Sequence, residues 1–161
     1  MNETPHLRSL TPSDAPRLAE LDRALFGLDA WSCASYAAEL ARADRIWLGH
    51  EAGGVLLSYA GVSLAPQGDL LTIGVASDAQ GRGLGRELLE EITSAAFAQR
   101  VRDIFLEVRV DNVRARHLYR DSGFSQITIR KRYYRGGIDA VVMRRTAPWA
   151  AIGPVGSEVI S

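Results

Sequence analysis

The stretch from Leu70 to Gln99 constrains the fold more tightly than any other part of the chain. It begins with apolar Leu70, Leu71, Ile73 and Val75, which read as a strand, and passes through a short link, Ala76-Ser77-Asp78-Ala79. A loop with glycine at 81, 83 and 85 follows, and Leu84, Leu88, Ile92 and Ala95/Ala96 then recur at the spacing of one buried helix face. Strand, glycine loop and helix start together make a place for phosphate. The first amides of a helix have no internal acceptor, and the helix dipole is positive there. Glycine lets an oxyanion approach the main chain without a Cβ in the way, and Arg82 and Arg86 bring charge suited to a diphosphate.

Spacing narrows the kind of phosphate. A Walker loop requires a lysine and a Ser or Thr after its last glycine, and neither follows Gly85. A dinucleotide fingerprint requires glycine three positions after Gly83, where Arg86 stands. Gln80 to Gly85 instead reads Q-x-x-G-x-G. On these six residues alone, a glycine-rich turn that merely caps a helix is the lesser but open alternative.

The remaining elements can be placed around this unit. His6–Leu10 reads as a short strand, and Thr11-Pro12-Ser13-Asp14 as a helix start, with a Thr cap, Pro at the first helical position and an acid at the third. Leu18, Leu21, Leu25 and Phe26 continue that helix until Gly27 and Asp29 break it. Trp31-Ser32 opens a second helix, capped by Ser32, with Tyr36, Leu40 and Ala43 inward, and the two helices form a wall. Arg45–Glu51 and Val55–Leu64 read as strands around Ala52-Gly53-Gly54, and residues 65–69 as a surface loop. Ile104–Val110 is a strand. Asn112 caps a short helix to Asp121 or Ser122, ended by Gly123, and Phe124–Arg130 and Ile138–Arg145 close the order as strands, with Arg135-Gly136-Gly137 near their turn. A helix between two strands in the second half implies a right-handed crossover and a parallel segment in a mixed sheet. The class is α/β, or α+β by a stricter definition. One domain covers 1–146, and 147–161, rich in Pro and Gly without periodicity, reads as a flexible tail.

Composition removes several functions. Basic and acidic side chains balance at 19 each among 161 residues, so no overall field draws nucleic acid or an anionic membrane, and an anion site must be local. A lone cysteine, Cys33, permits no internal disulfide framework. His6, His50 and His117 fall in different elements, and His117, two positions from Tyr119 on a helix, faces elsewhere, so no metal site is expected. With no cationic, apolar leader and no apolar run of about 18 residues, a cytoplasmic monomer is the default.

Two side chains stand out for chemistry. Glu107 lies between apolar neighbours on Ile104–Val110, where desolvation would raise its proton affinity toward that of a general base for an ammonium nucleophile. Arg109 shares its face, so a structural ion pair is the competing reading. Tyr119 lies seven residues after Asn112, two helical turns away on the same face; its phenol can donate a proton to a thiolate, or simply pack in the core beside Leu118.

Taken together, Q-x-x-G-x-G and LEVRVDNVRARHLYRDSGF resemble the GNAT family of N-acetyltransferases. TIRKRYYRGGIDAVVM, with the early Trp31-Ser32 and Glu39-Leu40, resembles its RimI-type branch, which acetylates the N-terminal alanine of a small-subunit ribosomal protein. The resemblance covers roughly residues 6–145 and implies a partly parallel sheet that splays open to hold acetyl-CoA, with no metal. Main-chain groups of Ile73, Gly74 and Val75 would pair with the pantetheine arm, and the loop from Gln80 through Gly81, Arg82, Gly83, Leu84 and Gly85 to Arg86 would hold the diphosphate. Asn112 would hydrogen-bond the pantetheine. Glu107 would be the base, through water, and Tyr119 the acid on the coenzyme A thiolate. Transfer would be direct, with both substrates bound and no acyl-enzyme on Cys33. Relatives commonly carry Asp-Pro where Ala76-Ser77 stand here, a change that removes no amide donor. Arg130, Arg132, Tyr133 and Tyr134 would shape a groove for the protein N-terminus, although a solvated basic edge reads equally well for each arginine. A small-molecule amine or lysine acetyltransferase, and a non-catalytic acyl-CoA module, remain alternatives on the sequence alone.

Overall fold

The computed structural model describes residues 3–152. Its elements, in chain order, are β1 (His6–Ser9), α1 (Ala15–Phe26), α2 (Cys33–Leu40), β2 (Arg45–Ala52), β3 (Val55–Leu56), β4 (Ser58–Ser63), β5 (Gly68–Val75), α3 (Leu84–Ala98), β6 (Asp103–Arg109), α4 (Val113–Asp121), β7 (Ser125–Tyr134), β8 (Ile138–Thr146) and α5 (Pro148–Ile152). The strands form one sheet in the order β1-β2-β4-β5-β6-β8-β7, with β3 paired to β2. Among the described residues only β5 and β6 run parallel, joined through α3, the parallel segment the sequence implied.

Alternation along the strands builds a core on each face. Val62, Leu70, Leu106 and Val108 meet Leu88, Leu89, Ile92 and Phe97 of α3 on one side. Tyr59 and Trp47 meet Leu18 and Leu21 of α1 and Tyr36 of α2 on the other. Each fully buried apolar side chain contributes about 1.5–3 kcal/mol, so α3 is held by packing more than by intrinsic helix propensity.

The caps are where the residues place them. Ser32 Oγ accepts from the Ser35 amide at 3.1 Å, and Asn112 Oδ1 from the Ala115 amide at 3.2 Å. Several boundaries differ. The first helix begins one turn later, because Pro12–Asp14 form a 3-10 turn in which the Thr11 amide donates to Asp14 Oδ2 at 2.8 Å. The α2 helix ends at Leu40 and leaves Ala43 exposed. The run expected as one strand over 55–64 breaks at Leu57, whose amide donates to the His50 carbonyl at 2.8 Å. Gly68 and Asp69, expected in a loop, are where β5 touches β6. The start of the expected tail is a helix: Ala147 and Ala150 are buried, and Trp149 Nε1 donates to the Phe97 carbonyl at 3.4 Å. Residues 153–161 of that tail lie outside the described residues. Among the described residues, no helix is long and apolar enough to cross a membrane.

Candidate active site

The feature that organises the site is a pairing that stops. Strands β5 and β6 are bonded only at Gly68–Ile104 and Asp69–Phe105, while β5 remains paired to β4 as far as Val75. Beyond Asp69 the two parallel strands part, and Ile73, Gly74 and Val75 keep one main-chain edge without a partner strand. A cleft of about 520 Å³ opens there. It is lined by Ile73–Val75, by Gln80, Gly81 and Gly83–Arg86, and by Asn112, Leu118 and Tyr119 from α4.

The glycine loop meets the cleft as the start of α3. Gly81 and Gly83 have φ of +81° and +82°, a region that side chains with a Cβ rarely adopt. The first helical bond recorded at this end runs from the Glu87 amide to the Gly83 carbonyl at 3.1 Å, so the amides before it point out of the helix without helical acceptors. Arg86 stands in that first turn and Arg114 in the first turn of α4, both against the helix dipole, an arrangement that an anion between them would relieve. Arg82 does not line the cleft; its guanidinium donates to the Asp78 carbonyl at 3.2 Å. Gln80 is held by Val75 and Arg114, donating to the carbonyl of the first at 3.0 Å and accepting from the second at 3.2 Å.

Tyr119 packs in the core, as one reading of it expected, and also reaches the cleft. It is buried and packs edge-on against Phe124 at 6.0 Å. Burial, and then Tyr134, push its phenol well above the ordinary tyrosine value, so it stays a protonated donor at any working pH. His117, expected to face away, lines the same cleft.

Glu107 departs from expectation in its surroundings. Leu106 and Val108 turn to the α3 side, so Glu107 emerges on the α1–α2 side of the sheet, exposed rather than shut between apolar neighbours. The burial expected for this side chain is therefore absent. Its carboxylate lies 3.3 Å from Arg130 Nη1, two strands away, and not beside Arg109. Arg109 reaches instead to Asp111 at 3.0 Å and Asp29 at 3.7 Å. Glu107 belongs to a second hollow of about 330 Å³, lined by Leu71, Phe105 and Arg130 among others. The opening between β5 and β6 thus has Tyr119 on one face of the sheet and Glu107 on the other.

Tyr134 bridges these faces electrostatically. Burial first, then Glu107 and Tyr133, push its phenol up to about 12, while Arg109 works in the opposite sense. Tyr133 is raised by Glu107 first and burial second. Arg132, expected in the groove, sits at a bulge with φ of +53°, its amide bonded to Asp139 Oδ1 at 3.0 Å. Sequence reasoning missed Leu25 and Phe26, which line the cleft, and Asp29, which it read only as a helix breaker and which lies 3.6 Å from Arg135 as well as beside Arg109. It also missed Arg114, although a basic residue in a first helical turn was a legible sign of a nearby anion. Among the described residues, no group of His, Cys, Asp or Glu is placed to hold a metal ion.

Comparison with known proteins agrees with this geometry. Residues 11–124 match the model of the acetyltransferase (GNAT) family. The chain is 44% identical over 144 residues to the N-alpha-acetyltransferase RimI of Mycobacterium tuberculosis, covering 85% of this chain and 89% of that protein. It is 43% identical over 77 residues to the ribosomal protein bS18-alanine N-acetyltransferase of Salmonella typhimurium, a match spanning 46% of this chain and about half, 52%, of that relative. The crystal structure of the ribosomal-protein-S18-alanine N-acetyltransferase from Escherichia coli superposes with a TM-score of 0.81 at 28% identity, over 89% of this chain and 94% of that one.

Proposed function

Because this chain belongs to the acetyltransferase (GNAT) family and is an N-acetyltransferase, we propose that it acetylates the α-amino group of a protein N-terminus, the N-terminal alanine of a small-subunit ribosomal protein first. The relatives named above support that choice of acceptor. The observation that carries the reading is the parting of β5 from β6, which leaves a strand edge, a helix start and Tyr119 at one cleft, with Glu107 in the hollow on the other face of the sheet. Enzymes of this family use acetyl-CoA, which supplies an activated thioester. The residues fit such a group: free helix-start amides from Gly81 to Arg86 with Arg86 and Arg114 for a diphosphate, and the open edge of Ile73–Val75 with Asn112 for an extended amide-bearing arm.

The chain's own residues then divide the proton work. Glu107, exposed and hydrated, draws a cationic amine to the α1–α2 side and takes its proton through water. Tyr119, held protonated by its burial, donates to the sulfur as negative charge develops there. No side-chain nucleophile is needed; Cys33 lies on α2, exposed and outside the cleft. The enzyme works in the cytoplasm as a monomer of one domain, whose core extends past residue 146 to include Ala147 and Ala150. Incubation with acetyl-CoA and a peptide beginning with alanine, followed by fragment mass mapping, tests the reading. One acetyl group on the α-nitrogen is the expected product. Acetylation confined to lysine side chains or to small amines would overturn it.

A further inference from the structure

A buried carboxylate in α1 has no part in the chemistry above. Asp22 is 2% exposed, and its oxygens are taken by two neutral donors rather than by a cation. One is the Trp31 amide at 2.8 Å, and the other is the hydroxyl of Tyr59. Burying a carboxylate is costly unless hydrogen bonds replace its water, and an apolar residue would suit this face of α1 better if packing were all that mattered. The two donors come from places that matter to the site. Trp31 lies near the end of the link 27–32 between α1 and α2, and Tyr59 lies on β4 opposite Gly74 of the open strand.

Gly74 is what lets Tyr59 pass. A Cβ at residue 74 would stand 2.5 Å from the Tyr59 hydroxyl, so any other residue there would displace it. Around the bond the packing is aromatic and close: Trp31 lies 5.1 Å from Tyr36, and Tyr36 6.1 Å from Tyr59. Burial pushes the phenols of both Tyr36 and Tyr59 far above the ordinary value, so both stay protonated, and Tyr59 is the one that donates to Asp22.

The other side of the link is charged and open to solvent. Asp29 lies 3.7 Å from Arg109, whose guanidinium stacks over Tyr134, and 3.6 Å from Arg135, and its neighbour Leu28 is exposed. Those outer pairs are long and solvated, and exposed pairs hold weakly. The inner bond is dry. The link is thus fixed at its buried end and open at its charged end.

We infer that Asp22 and Tyr59 are positioning residues, a latch that sets the 27–32 link against the open strand and thereby determines how tightly the acceptor is held, without touching either substrate. This rests on the acetyl-transfer reading for its kinetic consequence only. The test uses the full chain with Asp22→Ala, Asp22→Asn and Tyr59→Phe, an N-terminal alanine peptide, calorimetric acetyl-CoA binding and hydrogen exchange without acceptor. Loss of a buried hydrogen bond to a carboxylate should raise acceptor KM on the order of tenfold to a hundredfold in Asp22→Ala. Asp22→Asn should restore part of it, and Tyr59→Phe should cost about threefold to tenfold. The kcat and the acetyl-CoA Kd should stay within about threefold, while exchange quickens across 27–32 and not in α3, as expected for local rather than global opening.

Unchanged acceptor KM, or acetyl-CoA affinity falling in step with it, would overturn the latch, since a merely structural residue would weaken everything together. Should Asp22→Ala fail to fold, Asp22→Asn and Tyr59→Phe, which keep the shape, carry the same decision. Absence of any α-amine product from the native enzyme would overturn the acetyl-transfer reading instead. Exchange, measured without acceptor, still judges the latch: no change at 27–32 would end it.

Discussion

The two sides of the opening are made from different materials. On the cleft side, proposed for acetyl-CoA, the groups on offer are mostly main chain: an unpaired strand edge, the amides of a helix start, and glycines at φ of +81° and +82°. On the acceptor side it is side chain, and much of it exposed: Glu107 beside Arg130, Asp29 beside Arg109 and Arg135, with Tyr133 and Tyr134 between. Main-chain donors are fixed by the fold and suit a ligand that never changes. Exposed charged pairs cost little to break or rearrange, and suit a face whose partner is a polypeptide end. A substitution should therefore injure one side while sparing the other.

The largest separation is expected at Glu107. Glu107→Gln keeps size and hydrogen bonding but removes the proton acceptor, and kcat should fall about a hundredfold to ten-thousandfold with acetyl-CoA binding unchanged by calorimetry. Equal losses in binding and turnover would mean that the two sides are not separate. Tyr119→Phe should cost less, about tenfold to a hundredfold in kcat, because a hydrogen bond from water can partly replace the phenol. Its pH dependence has a definite sign. Burial opposes the phenolate and raises the pKa, so the donor form persists where an ordinary tyrosine would ionise near pH 10. The native rate should show no alkaline fall below about pH 10. A descending limb near pH 9 that vanishes in Tyr119→Phe would contradict the burial argument.

The same contrast explains what the sequence disclosed. Local features were legible because their causes are local: Ser32 and Asn112 bond to amides three residues on, and a helix must start where Gly83 precedes Leu84. Tyr119 reached the cleft because seven residues make two helical turns from Asn112. The partner of Glu107 was not legible, since Arg109 is two residues away in sequence while Arg130 arrives from two strands over. That arrival depends on the β7–β8 register and on its shift between Arg130 and Tyr134, which periodicity does not encode. Asp29 was misjudged for the same reason, because its meaning lies in Arg109 and Arg135. The helix Pro148–Ile152 escaped because five residues are too short to show a period.

Gly83 offers a test from the cleft side. A Cβ there would meet nothing within 4 Å, so only backbone strain at φ of +82° opposes a side chain. Gly83→Ala should weaken acetyl-CoA about tenfold, the equivalent of the 1–2 kcal/mol by which L residues resist that conformation. Acceptor KM measured at saturating acetyl-CoA should not move. A shift there as large as the shift in Kd would break the division between the sides.

The smallest effect should come from the root of α1, far from either ligand. The Arg8 guanidinium bonds to both oxygens of Asp14, at 3.0 and 2.8 Å, and ties β1 to the turn that starts the helix carrying the acceptor wall. Arg8 holds the Asp14 carboxyl below its ordinary value, helped by the Thr11 amide and opposed by partial burial. A carboxyl depressed in the folded state stabilises the fold above its unfolded pKa, near 3.9, and loses that contribution as pH falls through the folded value. Discounted for its partial exposure, the pair is worth about 1 kcal/mol, so Asp14→Asn should lower Tm by a few degrees at pH 7. Below the folded pKa, native and variant should melt together, because both carry a neutral side chain there. Because α1 ends in the link beside Asp29 and gives the cleft only the apolar side chains of Leu25 and Phe26, while the glycine loop and α4 supply its polar groups, any functional trace of Asp14→Asn should appear as a slight rise in acceptor KM with a smaller change in acetyl-CoA affinity. The reverse pattern would mean that α1 supports the cleft rather than the acceptor wall.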